Sequence, residues 1–135
     1  SLQSASLAGR EVLTTGNSIE LANGTAKGAV EFGSAVDAVT VKVYDGAGRL
    51  VHTDNLGPQA AGTTTFAWDG ATDAGKKAAD GAYTFTVEAT QGGKAASATT
   101  LAYALVRGVV PAADGTQLDL GAAGLKTLSD IKRIQ

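Results

Sequence analysis

At 135 residues the chain is one ordinary domain or two small ones, and its 44% hydrophobic content draws heavily on alanine, alongside 18 glycines. Cores of Ala and Val bury little area per residue, so each half is expected to be only modestly stable. A net charge of −2 presents no basic face for nucleic acid or an anionic membrane, and the absence of cysteine excludes disulfides, thiolate nucleophiles and Cys-based metal sites.

The chain starts Ser1-Leu2 and contains no Met, so it reads as part of a longer protein with a further N-terminal region; no cleavable signal pattern opens it. Residues 4–10 are expected to end a short helix, with Gly9 as its stop and Leu2 and Leu7 as its apolar contacts. Segments 11–15 and 18–21 read as short strands around Gly16-Asn17. Asn23-Gly24 is a hairpin signal leading into a third strand, 26–32. Three short strands make a poor core and need partners.

From Asp37 the texture changes. Val39, Val41 and Val43 alternate with Thr40, Lys42 and Tyr44, the pattern of a half-buried strand. Asp45-Gly46-Ala47-Gly48 turns it into a second strand, 50–53, and a loop over 57–62 follows, its path fixed by Pro58. Next comes a strand that puts Phe66 and the sole Trp, Trp68, on one face. Asp69-Gly70, Asp73-Ala74-Gly75 and Asp80-Gly81 mark successive turns. Tyr83, Phe85, Val87 and Ala89 then form another alternating apolar face, and Gly92-Gly93 connects it to a hairpin partner over 94–101. In a chain this poor in aromatics, Phe66, Trp68, Tyr83 and Phe85 are expected at the centre of a core. Five or six antiparallel strands here predict a reduced immunoglobulin- or fibronectin-like sandwich.

The apolar run 101–106 is far too short to cross a bilayer. Short strands return at 104–110, ended by Pro111, and at 116–120 after Asp114-Gly115. Gly121 and Gly124 bracket a turn before 125–128, and 129–134 reads as a last turn of helix or a last strand. Neither end has a core of its own. The economical arrangement is all-β: residues 1–33 and 102–135 pair as a small barrel, and 34–101 is a sandwich inserted from one of its loops. Two consecutive domains breaking near Phe32 are the alternative.

Three stretches carry a family resemblance: Val41-Lys42-Val43-Tyr44-Asp45-Gly46-Ala47-Gly48-Arg49-Leu50-Val51, Phe66-Ala67-Trp68-Asp69-Gly70 and Asp80-Gly81-Ala82-Tyr83. They resemble the Ig-like module of the FlgD family of flagellar hook-assembly proteins, also called hook-capping or basal-body rod modification proteins. The flanks agree, with 5–12 similar to the stretch after that family's flexible export region and 120–131 similar to its C-terminal end. The resemblance implies a fibronectin type III/Ig-like domain, 34–101, inserted in a Tudor/SH3-like barrel made by 1–33 and 102–135. It also implies a scaffold at the distal end of the growing hook, exported through the flagellar type III apparatus, that helps exported hook subunits into place. Its partners are then hook subunits and further copies of itself, with no nucleic acid, membrane or cofactor.

The candidate chemistry is thin. Asp69, Asp73 and Asp80 invite a calcium reading, but their spacing fits no EF-hand loop, and Asp before Gly usually bonds its own turn. His52, the sole histidine, has neither a thiol nor a positioned serine and reads as an exposed strand residue. Gly46-Ala47-Gly48 only mimics a dinucleotide fingerprint, since Val51 occupies the third glycine position and a strand follows. Trp68 as a sugar platform would fit an extracellular binding or adhesion module, the alternative function; its alternation with Phe66 favours burial. Catalytic, cofactor and metal residues are therefore expected to be none. The structural motif is Phe66, Trp68, Asp69, Gly70, Asp80, Gly81, Tyr83 and Phe85, and Leu2 and Leu7 are expected subunit contacts.

Overall fold

The computed structural model describes residues 6–113 and 115–135. Among these there is no α-helix, and strands alternate with turns throughout. The strands are β1 (Glu11–Thr15), β2 (Ser18–Leu21), β3 (Ala26–Phe32), β4 (Ala38–Tyr44), β5 (Leu50–Asn55), β6 (Gly62–Trp68) and β7 (Gly81–Gln91). They continue as β8 (Lys94–Ala96), β9 (Ala98–Leu105), β10 (Gly108–Val110), β11 (Gln117–Asp119), β12 (Leu125–Thr127) and β13 (Ile131–Ile134). The chain divides into two compact units, one of residues 17–101 and one of residues 1–16 with 102–135.

The 17–101 unit has two antiparallel layers. One contains β3, paired with β6 on one side and with residues 98–101 of β9 on the other. The second runs β2-β7-β4-β5, with β8 folded back on the end of β7. Strand alternation builds the core. Val39, Val41 and Val43 of β4 and Tyr83, Phe85 and Ala89 of β7 point inward, with Ile19 and Leu21 of β2 beside them. Ala26, Val30 and Phe32 of β3 and Trp68 of β6 complete the buried cluster. At the β2–β3 hairpin both Asn23 (φ 54°) and Gly24 (φ 79°) adopt the left-handed conformation that two-residue turns require, as the Asn-Gly signal predicts.

Two expectations are corrected here. β2 and β3, assigned by sequence to the barrel of 1–33, are sandwich strands, so the N-terminal division falls after Gly16 rather than after Gly33. The reason is long-range: Ile19 pairs with Tyr83, and Val30 with Thr64 and Thr100, partners that no local pattern reveals. The expected hairpin over 94–101 is split at Ser97, because β8 pairs with β7 whereas β9 pairs with β3.

In the other unit, β1 lies between β13 and β9, and β10-β11-β12 form a three-stranded sheet. Leu7, Val12, Val106, Leu118 and Leu120 are its buried cluster, with Ala104, Val109 and Ile131 packed against them. Residues far apart in sequence hold it closed: the Thr14 hydroxyl donates to the Asp130 carbonyl (2.9 Å), and the Gln135 N–H to the Glu11 carbonyl (2.8 Å). The expected helix before Gly9 is a turn over the described residues 6–9; Gly9 does take the left-handed φ (83°) expected of a stop. The single strand expected over 104–110 is two, since Val106 and Arg107 bond out of line to Arg10 and Asp119. For 129–134 both readings hold in part, since a 3-10 turn (Leu128–Asp130) runs into β13. Asp114, of the expected Asp114-Gly115 turn, lies outside the described residues.

Candidate functional site

The aromatic cluster sits where β6 and β7 face each other across the sandwich, with the connection 69–80 bonded to β5 beside it through Asp73. Trp68 is 3% exposed and meets Tyr83 edge-on, ring centroids 5.0 Å apart, while Phe66 meets Phe85 the same way at 4.8 Å. These are the offset geometries that aromatic quadrupoles favour. Phe66 fits because β3 has a glycine opposite: a Cβ on Gly28 would lie 2.8 Å from the Phe66 ring. The polar handles are used internally. Trp68 Nε1 donates to the Ala71 carbonyl (2.8 Å), and the Tyr83 hydroxyl donates to the Ala79 carbonyl four residues upstream.

The Asp-Gly turns serve the backbone. Asp69 Oδ1 accepts from the Ala71 N–H (2.9 Å), the bond of an Asx turn. Gly70 follows with φ 86° and a Cβ position only 3.1 Å from the Leu21 side chain, so both conformation and space call for glycine. Asp73 turns away from Asp69 toward His52. Asp80 is exposed beside Gly81, at the start of β7. Asp69 and Asp73 thus have different partners, and the described residues include no group of three His, Cys, Asp or Glu placed to hold a metal.

His52 differs from its expectation. It is half-buried (side chain 24% exposed), its Nδ1 is 3.0 Å from Asp73 Oδ1, and its ring stacks on Trp68 at 6.1 Å and 20°. The cause is register: His52 pairs with Val43, an inward-facing core residue, so it faces the layer opposite. A backbone bond from Asp73 N–H to the Val51 carbonyl (3.0 Å) fixes the connection against β5 at the same place. The signals available in the sequence were the alternation of β4 and the turn into β5; what it lacked was the register of β5 on β4.

The Gly46-Ala47-Gly48 stretch is a strand-to-strand turn organised by Asp45. The Arg49 N–H donates to its carboxylate (2.9 Å), and the Ala47 N–H and the Arg49 guanidinium add to this, holding the Asp45 pKa below its ordinary value. Asp130 is lowered in the same way, first by the Thr127 N–H. Leu7, expected as a subunit contact, is 7% exposed and packed in the core of its own unit, which leaves little of it for a partner. Leu2 lies outside the described residues. No described helix is long and apolar enough to cross a membrane.

Comparison with known proteins places this architecture. A family model, the FlgD Ig-like domain, matches residues 16–93. The basal-body rod modification protein FlgD of Escherichia coli (strain K12) is 35% identical over 142 residues, covering 99% of this chain and 62% of that protein. The protein of the same name from Salmonella typhimurium is 36% identical, covering 99% and 61%. The chain therefore spans about 62% of the length of the E. coli relative. Solved FlgD from P. aeruginosa superposes with a TM-score of 0.80 at 31% identity, over 96% of this chain and 98% of that one. FlgD from Xanthomonas campestris, whose structure is described as giving insights into the hook capping essential for flagellar assembly, gives 0.79 at 32% identity, over 99% and 98%.

Proposed function

The chain belongs to the FlgD family, and on that premise we propose that it is a non-enzymatic scaffold of flagellar hook assembly. It acts at the distal end of the growing hook, where it helps exported hook subunits into place. The observation that carries this reading is the match over nearly the whole chain to FlgD of X. campestris, a protein described by its part in hook capping. The site agrees with a scaffold role. Its Trp and Tyr polar groups and the Asp69 carboxylate bond within the fold, so the aromatic cluster works as a structural centre.

In the same reading the 17–101 unit is a fibronectin type III/Ig-like domain inserted in a small Tudor/SH3-like barrel. The Tyr83 bond to Ala79, near the start of its strand, supports this as the tyrosine corner of Ig-like sandwiches. Partners are hook subunits and further copies of the chain, and the route out of the cell is the flagellar type III apparatus. The test is complementation of flagellated cells lacking their own family member. Full-length protein containing this region should restore hooks and motility. His52→Ala and Asp45→Asn versions should restore them equally. If either substitution abolishes hooks while the protein folds and is exported, a specific polar site does the work and the scaffold reading fails.

A further inference from the structure

Sheet edges expose unpaired backbone groups, and proteins ordinarily blunt them with charge, proline, short length or a covering segment. Most outer strands here follow that rule. β2 carries Glu20, β8 carries Lys94, and β5 carries His52 and Asp54 and has the Asp73 N–H bonded to its Val51 carbonyl. In the other unit β10 stops at Pro111, β12 carries Lys126, and β13 carries Lys132 and Arg133. β6 is the exception. It pairs with β3 along its whole length without a register shift, and among the described residues β3 is its only neighbour in the sheet order. Its seven residues, Gly62-Thr63-Thr64-Thr65-Phe66-Ala67-Trp68, contain no charge and no proline.

We infer that β6 is a self-pairing edge, through which a second copy of this chain adds its own β6 antiparallel about a twofold axis at Thr65. Isologous pairing is what the strand's own residues fit. A twofold at Thr65 sets Thr65 across Thr65, Thr63 across Ala67 and Thr64 across Phe66, so no like charges oppose each other. Thr65 and Ala67 are exposed, and the outward row Thr63-Thr65-Ala67 is small enough for the two strands to approach. The sandwiches resist this only at long range, since residues 17–101 carry six Lys and Arg against nine Asp and Glu, a net −3. That repulsion is screened by salt. One strand edge buries less than the ~1,200 Å² of a stable interface, so the pairing is weak and appears at roughly 0.1–1 mM protein. This contact is one that the hook-capping reading leaves open, and it rests on the strand edge alone.

Sedimentation equilibrium of the purified chain up to about 1 mM tests it, independently of complementation in cells. A monomer–dimer equilibrium that strengthens between about 0.05 and 0.5 M salt is expected. Thr65→Lys, which sets two lysines across the axis, should weaken it at least about tenfold. Thr84→Lys, at an exposed position of the central strand β7, should leave it unchanged. An unchanged Trp68 emission shows that each variant is folded. Thr65→Cys, in a chain with no other cysteine, should cross-link under mild oxidant whereas Thr84→Cys should not. A monomer at every concentration, or a dimer indifferent to Thr65→Lys, overturns the inference.

Discussion

The two units solve the same problem with different materials. The 17–101 unit closes around Trp68, Phe85, Phe32 and Tyr83, large side chains packed between two layers. In the unit of 1–16 and 102–135 the buried cluster is Leu7, Val12, Val106, Leu118 and Leu120, with no aromatic among them. It relies instead on joining its two distant segments, through β1 with β13 and through Thr14, Glu11 and Arg10 bonding to Asp130 and Gln135. One unit is held by what it buries, the other by closure of its two segments on each other. Buried aromatic area stabilises more than a few hydrogen bonds do, so the sandwich should be the more robust of the two.

The comparison is broken most directly at Trp68. Trp68→Ala should cost about 3–5 kcal/mol in urea unfolding followed by circular dichroism, and a loss below about 1 kcal/mol would deny the ring its central place. Leu118→Ala is the matching change in the smaller unit and should cost about 2–4 kcal/mol. There the sharper readout is Trp68 emission, which should keep its buried, blue-shifted maximum while amide protection is lost at β10, β11 and β12. Gly28→Ala forces a methyl to within 2.8 Å of the Phe66 ring, and overpacking of this kind costs about 1–3 kcal/mol, measured as a lowered midpoint with an unchanged slope.

The smallest effect is electrostatic. The Asp45 pKa is lower in the folded than in the unfolded chain, so the unfolded state binds the proton more readily. The stabilisation is therefore present at neutral pH and is lost as pH falls through the depressed value, below the ordinary aspartate range. Asp45→Asn should flatten this part of the acid limb of a plot of melting temperature against pH, and an unaltered limb would deny the effect.

How much of this was legible follows from sequence distance. The alternation of Val39, Val41 and Val43, and of Tyr83, Phe85, Val87 and Ala89, announces inward faces by itself, and Asn23-Gly24 announces its turn. The burial of Trp68 was readable from its step of two from Phe66. The place of β2 and β3 was not, because a short strand states which of its faces is apolar but not which partner, sixty residues away, will cover it. His52 failed at shorter range, because the turn after β4 announces a hairpin but not the register that sets His52 across from inward-facing Val43. Leu7 looked like a loose apolar residue near the start of the chain because Val106 and Leu118, which bury it, come about a hundred residues later.

Residues 17–101, β2 and β3 included, are expected to form a self-sufficient sandwich closed around Trp68. Expressing that segment alone tests it, beside a shorter one of residues 35–101 that lacks both strands. The 17–101 segment should unfold cooperatively and show a blue-shifted Trp68 emission, while 35–101 should be unfolded and show water-exposed emission. A folded 35–101 segment, or an unfolded 17–101 segment, would contradict it.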